Sequence, residues 1–540
     1  MNKKVALWTV VALVVVSLFA GMAINQLVSG DILYDQVNKF REVLMLTDKY
    51  YVEPVDPAKL TDAAVEGLLG KLDPHSVYIP PRALETVTEE FRGEFEGIGI
   101  RFTIRNDSIF VAETIGGGPS ARLGIQTNDR IVRINDSSAV GLTSDQVMQR
   151  LRGPKGTRVD VSIARPGVKE LLDFEIVRDK ISLTSVDVAM MVTDQVGYIS
   201  VNRFSEKTNA EMEQALRNLK AQGMRRLILD LRDNPGGLLE QAFKMVDLFL
   251  DGGTKEAPHK IVYTKSRRPE FDEVYYARTG QPYESLPLII LLNNNSASAS
   301  EIVAGAIQDW DRGLIVGETS FGKGLVQRQL QLVDGSALRL TIARYYTPSG
   351  RSIQREYEGK ERDAYLHEAY TRQEKEGENI EHTEERDTTR PMFHTYDGRI
   401  VYGGGGITPD YVIKNAPLTP LTQSLLRRGL FDQFMTAYLD GKGLKIRTVY
   451  GKDFQTFKQA FSVSDEILRD FRSFVGQRDV KIDEKQYEKD LAFIKVRLKA
   501  TLARSFWGGD GWYPVMLQVD PPFQKALNLF PEAEKIARLN

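Results

Sequence analysis

Between residues 196 and 316 short, largely apolar runs alternate with amphipathic segments, and that alternation constrains the fold more than any other feature of the chain. Val196 to Val201 reads as a strand, Asn209 to Gln222 as a helix, Leu227 to Leu231 as a buried strand and Leu238 to Leu250 as a helix. Leu286 to Leu292 is again a buried strand, Glu301 to Trp310 a helix and Gly313 to Val316 a strand. A strand covered on both faces has no polar side to show, so it reads as a continuous apolar run. Such strands separated by helices predict a layered α/β core.

That core is one of several units. A chain of 540 residues is expected to hold roughly three or four domains at about 150 residues each. Residues 31–90 read as helical pieces broken by Pro54, Pro57, Pro74, Pro80 and Pro81. Residues 91–168 change to short strands with one helix at Ser144 to Leu151, a small β-rich domain. The α/β core is expected to span 180–354 and to resume at 396–415. Between them, 355–395 is dominated by charged residues and reads as an exposed insertion, partly helical or mobile. Residues 416–540 have helical apolar spacing and read as an added helical domain.

The N-terminus speaks to location. Val5 to Ile24 is apolar except for Thr9 and Ser17, long enough at about 1.5 Å per residue to cross a bilayer core of about 30 Å. Lys3 and Lys4 precede it and no comparable basic cluster follows at once, which predicts the N-terminus in the cytoplasm and the remainder outside. Residues 1–30 are therefore expected to be a membrane anchor or a signal segment. An uncleaved anchor is favoured over a cleaved signal peptide ending near Ala20 or Ala23, because the apolar run is long and lacks a clean small-x-small site. Either way the rest of the chain is expected outside the cytoplasm, in the cell envelope on the periplasmic side, and in the first case tethered to the inner membrane.

Composition removes whole classes of chemistry. With no Cys there can be no disulfide, thiolate metal site or Cys nucleophile. The five histidines are His75, His259, His367, His382 and His394, too few and too scattered for an evident triad or metal cluster. Lys plus Arg (71) balances Asp plus Glu (73), so no bulk field draws the chain to nucleic acid. No cofactor and no metal are expected.

Chemistry can reside at three strand ends. In Leu286 to Trp310, LPLIILLNNNSASASEIVAGAIQDW, a buried strand passes through three asparagines and alternating Ser and Ala into a helix. Such a turn holds one hydroxyl rigidly and aims backbone N–H groups at a developing oxyanion. A plain helix entry capped by Ser300 accounts for the same residues, and local chemistry does not choose among Ser296, Ser298 and Ser300. With no suitable histidine, the base would be a lysine, and Lys323 is the only cation in its otherwise neutral loop, flanked by Gly322 and Gly324. Lysine serves as a general base only if its pKa falls from about 10.4 toward neutrality, as burial can cause. If extended backbone begins at Lys323, Gln327 shares its face and can orient it. Third, the strand Leu227 to Leu231 runs into Asn234-Pro235-Gly236-Gly237, where a glycine could offer an unhindered N–H to a carbonyl oxygen.

Taken together these segments resemble the carboxyl-terminal processing peptidases, or tail-specific proteases, serine peptidases with a Ser/Lys dyad. The resemblance rests on SASASEIVAGA, GETSFGKGLVQ, DGSALRLTIARYYTPSGRSIQ, LDLRDNPGG and GGITPD, and covers roughly residues 35 to 415, including YVEPVDPAKL and LDPHSVYIPP. It implies a layered α/β core of the Clp protease/crotonase-like kind with an inserted PDZ-like domain. It puts the nucleophile on Ser298, the base 25 residues on at Lys323, the orienting amide on Gln327, and oxyanion donors on Ala299 and on Gly236 or Gly237. Gly97-Ile98-Gly99-Ile100 resembles the carboxylate-binding loop of PDZ domains, with Val147 and Leu151 as groove wall. Asn128-Asp129 departs from the family's Gly-Asp, and Asn tolerates a left-handed turn.

The expected activity is therefore a serine endopeptidase that takes C-terminal tails of envelope proteins through a PDZ domain. The alternative is a noncatalytic tail-binding envelope scaffold, against which the intact Ser298, Lys323 and Gln327 set argues. A metallopeptidase is disfavoured because no HExxH exists. Expected partners are protein C-terminal tails and the membrane, not nucleic acid, with a homo-oligomer or an adaptor left open.

Overall fold

A computed structural model describes residues 31–539 apart from 106, 166, 381–388, 440 and 452. The apolar segment Val5 to Ile24 and His382 lie outside the described residues. Among the described residues no helix is long and apolar enough to cross a membrane. The chain divides into two units, one reaching to Ile79 and including Gln329–Leu340, the other comprising Pro80–Arg328 and the chain from Thr341 onward.

In the first unit, helices Asp31–Tyr50 and Pro57–Leu69 are followed by a strand, Val77–Ile79, that pairs antiparallel with Ala337 to Arg339. Asp56 caps the second helix by accepting from the N–H groups of Ala58 and Lys59, and Pro57 takes the first helical position, where a missing N–H costs nothing.

The second unit is built on a six-stranded sheet in the order Val186–Met191, Val196–Val201, Arg226–Asp230, Leu288–Leu292, Leu314–Gly317, Tyr411–Val412. The first pair is antiparallel and every later pair parallel. Alternation along the strands divides their side chains between two cores. Leu227, Leu229, Leu288, Ile290 and Leu292 pack with the helices Thr208–Ala221, Leu239–Asp247 and Ala299–Asp309. Ile228, Ile289, Leu291 and Val316 point the other way, onto Leu517, Phe523, Leu529 and Phe530. The expected α/β layering is present, but its second outer layer comes from the last residues of the chain.

That changes the boundary expected at 416. Helices between Pro420 and Trp507 share a core of their own, with Leu425, Phe431, Phe471 and Leu498 buried in it. Pro521–Asn528 and Phe530–Ile536 instead belong to the sheet. An apolar helix stripe does not declare its partner, so sequence periodicity could not separate the two groups. The insertion at 355–395 is also more integrated than expected. Its helix Arg362–Lys375 buries Tyr365 and Ala369, one turn apart, and Arg372 donates to the carbonyls of Ser320 and Gly405. A narrow buried stripe inside a charged segment is swamped in any composition average.

The β-rich domain lies between two strands, Glu94–Gly97 and Asp179–Ser182, which pair antiparallel where the chain enters and leaves it. Its sheet runs Ile100–Arg105, Ser108–Thr114, Arg130–Ile134, Arg158–Ala164, Leu172–Val177, with the helix Ser144–Leu151 packed beside Ile109, Val111, Ile131 and Val161. Thr143 and Gln146 form a reciprocal capping box at the start of that helix. Asn128 is left-handed at φ 73°, and buried Asp129 holds Arg165.

Candidate active site

Three neighbouring parallel strands end on the same edge of the sheet, and each hands its loop to the site. Loops after Asp230, Leu292 and Gly317 carry the NPGG turn, the serines and the lysine in turn. This is the general location of sites in open α/β sheets, outside the carboxyl ends of the strands.

Geometry separates the three serines. The buried Ser296 and Ser300 hydroxyls donate to the carbonyls of Leu231 and Asn234, at 2.8 and 3.0 Å. Both tie the serine loop to the NPGG loop. Ser298 is partly exposed and is itself the residue before the helix, with φ 54° and ψ −110°. Ser300, expected as a possible cap, lies inside the first turn. A left-handed non-glycine residue costs on the order of 1–3 kcal/mol and persists only when its surroundings hold it.

Glu301 does much of that holding. Its side chain is fully buried and accepts four donors: Ser298 N–H at 2.7 Å, Ser320 O–H at 2.5 Å, Gly322 N–H at 2.7 Å and Lys323 N–H at 2.9 Å. Burial pushes the carboxyl above its usual range, while these four donors act in the opposite direction. Tyr345 makes a second tie, its phenol placed 3.1 Å from Ser298 O and 2.8 Å from Lys323 O. Burial, with Glu301 nearby, raises the phenol well above its ordinary pKa, so it keeps its proton and donates. The structure thus brings the Ser298 and Lys323 main chains together through two shared partners. Lys323 Nζ donates to Gln327 Oε1 at 2.7 Å, as expected if both side chains share one face of extended backbone.

The NPGG turn closes the site. Gly236 and Gly237 both have positive φ, 98° and 147°. A Cβ on Gly236 would lie 2.7 Å from Ala297 O and 2.8 Å from Ser298 Cβ, and one on Gly237 would lie 2.1 Å from Phe204 O. Only glycine lets these backbones approach so closely. The Gly236 N–H is taken by Asn234 Oδ1 at 2.9 Å. Gly237 is held through its neighbours, since Phe204 N–H donates to Gly236 O and Leu238 N–H to Phe204 O. Ala299 opens the helix, where N–H groups have no intrahelical acceptor.

The β-domain residues are arranged differently. Gly99 is left-handed at φ 76°, and the loop carbonyls are used: Ile98 O accepts from Ser120 N–H and O–H, Gly99 O from Ile115 N–H. Gly97, Ile98 and Gly99 are buried and Ile100 is partly so. Val147 and Leu151 do join Ile98 in one cluster, but it is the domain core, at 0% and 4% exposure, rather than an open groove wall. Ile100–Arg105 is an edge strand of its sheet.

Sequence reasoning missed Glu301 and Tyr345. Glu301 had a readable signal, because Ser298 followed three residues later by Glu is the spacing of a capping box. Tyr345 had none, since only the hairpin fold returns it to the loop. Among the described residues no cluster of His, Asp or Glu could hold a metal.

Comparison with known proteins follows the same lines. Residues 195–366 match peptidase family S41, residues 86–164 match the PDZ domain, and residues 421–508 match a family of unknown function. A carboxy-terminal-processing protease of Bartonella bacilliformis is 39% identical over 325 residues, covering 59% of this chain and 73% of that protein. The chain belongs to the carboxy-terminal-processing proteases of family S41. This S41 protease is thus a serine-type peptidase with a PDZ domain. It is also similar to a probable CtpA-like serine protease of Staphylococcus aureus, 33% identical over 354 residues, 65% of this chain and 69% of that one. Among solved structures, the photosystem II D1 C-terminal processing protease is 27% identical, covers 58% of this chain and 89% of its own, and has a TM-score of 0.33. The PDZ domain of a carboxy-terminal protease from Vibrio cholerae, in complex with peptide, is 31% identical, covers 17% of this chain and 99% of its own, and has a TM-score of 0.16.

Proposed function

We propose that Ser298 is the nucleophile of this peptidase, Lys323 its general base and Gln327 the amide that orients the lysine. The observation that carries this is the double tie through Glu301 and Tyr345, which joins the main chains of Ser298 and Lys323, while Lys323 Nζ is directed by Gln327. Neutral Lys323 takes the proton from Ser298 Oγ as it attacks the scissile carbonyl. The oxyanion is received by the N–H groups of Ala299 and Gly237; Gly236 is the poorer candidate because Asn234 already occupies its N–H. The protonated lysine then gives its proton to the leaving amine, and water releases the acyl-enzyme by the reverse sequence.

Substrates in this reading are envelope proteins with accessible C-termini. The place of Ile100–Arg105 at the end of its sheet supports addition of an extended tail as a further strand, with its carboxylate at Gly97 to Ile100. Burial of Ile98, Val147 and Leu151 means that a terminal side chain would have to displace core packing to enter. Lys3, Lys4 and the apolar run Val5 to Ile24 support an inner-membrane anchor with the protease on the periplasmic side. Labelling with a fluorophosphonate followed by peptide mapping tests the assignment: the adduct is expected on Ser298, to be lost in Ser298→Ala and to form slowly in Lys323→Ala. An adduct on Ser296 or Ser300 would overturn it.

A further inference from the structure

The NPGG loop begins with a side chain anchored outside the peptidase sequence proper. Arg232, two residues past the strand, donates through Nε and Nη2 to Asp230, at 3.0 and 2.6 Å. Its remaining nitrogen, Nη1, donates to Asp520 at 2.9 Å, and the two carboxylates hold it in a setting where it is largely buried. Asp520 precedes the helix Pro521–Asn528 near the far end of the chain, and also caps it by accepting from Phe523 N–H at 3.0 Å. Asp230 is held from the other side by the Tyr198 hydroxyl at 2.6 Å.

From Arg232 the connection runs directly into the site. Asp233, left-handed at φ 58°, accepts from the side-chain amides of Asn293 and Asn295 in the serine loop, each at 2.8 Å. Asn234 O accepts from Ala297 N–H and from the Ser300 hydroxyl, while Asn234 Oδ1 holds Gly236 N–H. Of the four residues between Arg232 and the glycine whose N–H is proposed to meet the oxyanion, Asp233, Asn234 and Gly236 are each held by hydrogen bonds. A charged hydrogen bond at the root of the loop therefore bears on donor placement several residues on, where small displacements matter greatly to rate.

We propose that Asp520 is a positioning residue for the oxyanion loop, so that the C-terminal segment completes the peptidase site rather than merely covering the sheet. This rests on the reading of Ser298 as nucleophile and of the Gly237 N–H as an oxyanion donor. Asp520 touches neither substrate nor reacting atoms. It acts through Arg232, whose Nη1 donates to Asp520 while Nε and Nη2 are taken by Asp230, so loss of the Asp520 carboxylate removes the charged acceptor that fixes the far side of a largely buried guanidinium.

The same segment supplies its own control. Glu534, on the following helix Phe530–Ile536, pairs with Arg226 at 2.7 Å at the opposite end of the same strand. Glu534→Gln removes a comparable ion pair far from the loop. Asp520→Asn and Asp520→Ser both retain a capping acceptor for Phe523 N–H but lose the charge facing Arg232.

The experiment measures the rate of Ser298 phosphonylation by a fluorophosphonate in the full chain, and kcat and KM on a quenched fluorescent peptide with a free apolar C-terminus. Circular dichroism establishes at each temperature that the variant is folded. Asp520→Asn and Asp520→Ser are expected to slow phosphonylation and kcat about tenfold or more with KM within about twofold, because an oxyanion interaction exists only in the transition state. Glu534→Gln is expected to leave both rates within about twofold. Equal rates in folded Asp520→Asn and wild type would overturn the proposal, as would equal losses in Asp520→Asn and Glu534→Gln, which would reduce Asp520 to a docking contact. Wild-type protein not labelled at Ser298 would instead overturn the reading of the nucleophile on which the proposal stands.

Discussion

The peptidase loops and the PDZ loop are both built around glycines and left-handed backbone, yet they are held in opposite ways. In the peptidase site the positions around Ser298 are cross-linked by side chains: Glu301 collects four donors, Tyr345 spans two carbonyls, and Asn234 and the flanking serines join two loops. In the PDZ loop the main chain is supported, but the side chains assigned to the ligand, Ile98, Val147 and Leu151, fill the domain core. Catalysis needs donors fixed before the charge appears, because reorganising them during reaction would cost rate. Recognition of a tail can tolerate movement, since binding energy is available to meet it. On the proposed assignments, the difference is that the chemical site is assembled in the absence of substrate while the recognition site has to yield to it.

The strongest way to break this comparison is to remove the reacting groups. Ser298→Ala and Lys323→Ala are each expected to lower kcat by about a thousandfold or more while melting near wild type, as for members of one proton-transfer unit. In the wild type, kcat should fall as pH is lowered, because acid protonates the amine that must accept the serine proton. A folded Lys323→Ala variant with near-normal turnover, or a flat acid limb, would remove lysine from the mechanism.

Next in size is Glu301. Glu301→Gln puts an N–H₂ where an acceptor-only carboxylate met four donors, so at least one donor is left facing another. Loss of about 2–4 kcal/mol in unfolding free energy and about a hundredfold in kcat is expected, since buried donors without acceptors are costly and both catalytic loops lose their shared tie. Denaturant melts and initial rates on one preparation measure both, and a variant equal to wild type in both would show that the site is not held from below.

The recognition half is sharpened by tail chemistry. Full-length Ser298→Ala protein titrated with matched peptides should bind the free acid about tenfold or more tightly than the C-terminal amide, given roughly 1.5–3 kcal/mol for hydrogen bonds to a charged group. Line broadening or exchange protection at Val147 and Leu151 should change on binding. Equal affinities would place selection in the cleft instead.

The smallest effect concerns the seam between the two regions. Glu94, on the strand entering the PDZ domain, is held down to about 2 by hydrogen bonds from Lys207 and Lys180. Its ordinary value is 4.5, so the pairing stabilises the fold above that pH and is lost as pH falls from about 4.5 toward 2. Solvent screening limits the amount to about 1 kcal/mol. Urea melts of wild type and Glu94→Gln should differ by that amount at pH 6 and converge near pH 2; a constant gap would exclude the ion pairs as its source.

Much of this molecule is written locally. The strands 196–201, 227–231 and 286–292 were legible because two covered faces leave few polar positions, and the hairpin beyond Lys323 because Asp334-Gly335 is a turn pair between alternating runs. Lys323 and Gln327 could be matched from strand period alone. Choosing Ser298 over Ser296 and Ser300 took a family resemblance in sequence; the structure adds that the Ser296 and Ser300 hydroxyls are spent on carbonyls of the neighbouring loop, which supports the proposed choice.

What the chain decides by itself, then, is the kind of element each segment forms and the chemistry each strand end can offer, because propensity, period and turn stereochemistry act over a few residues. What only the tertiary structure decided is partnership across hundreds of residues. Apolar helices 521–536 and 420–507 look alike in sequence, yet one group closes the sheet and the other forms a separate core. Asp520 reads as an ordinary helix cap until the fold sets it 2.9 Å from Arg232. Burial and charge pairing depend on which surfaces meet, and that is a property of the packed chain rather than of any window along it.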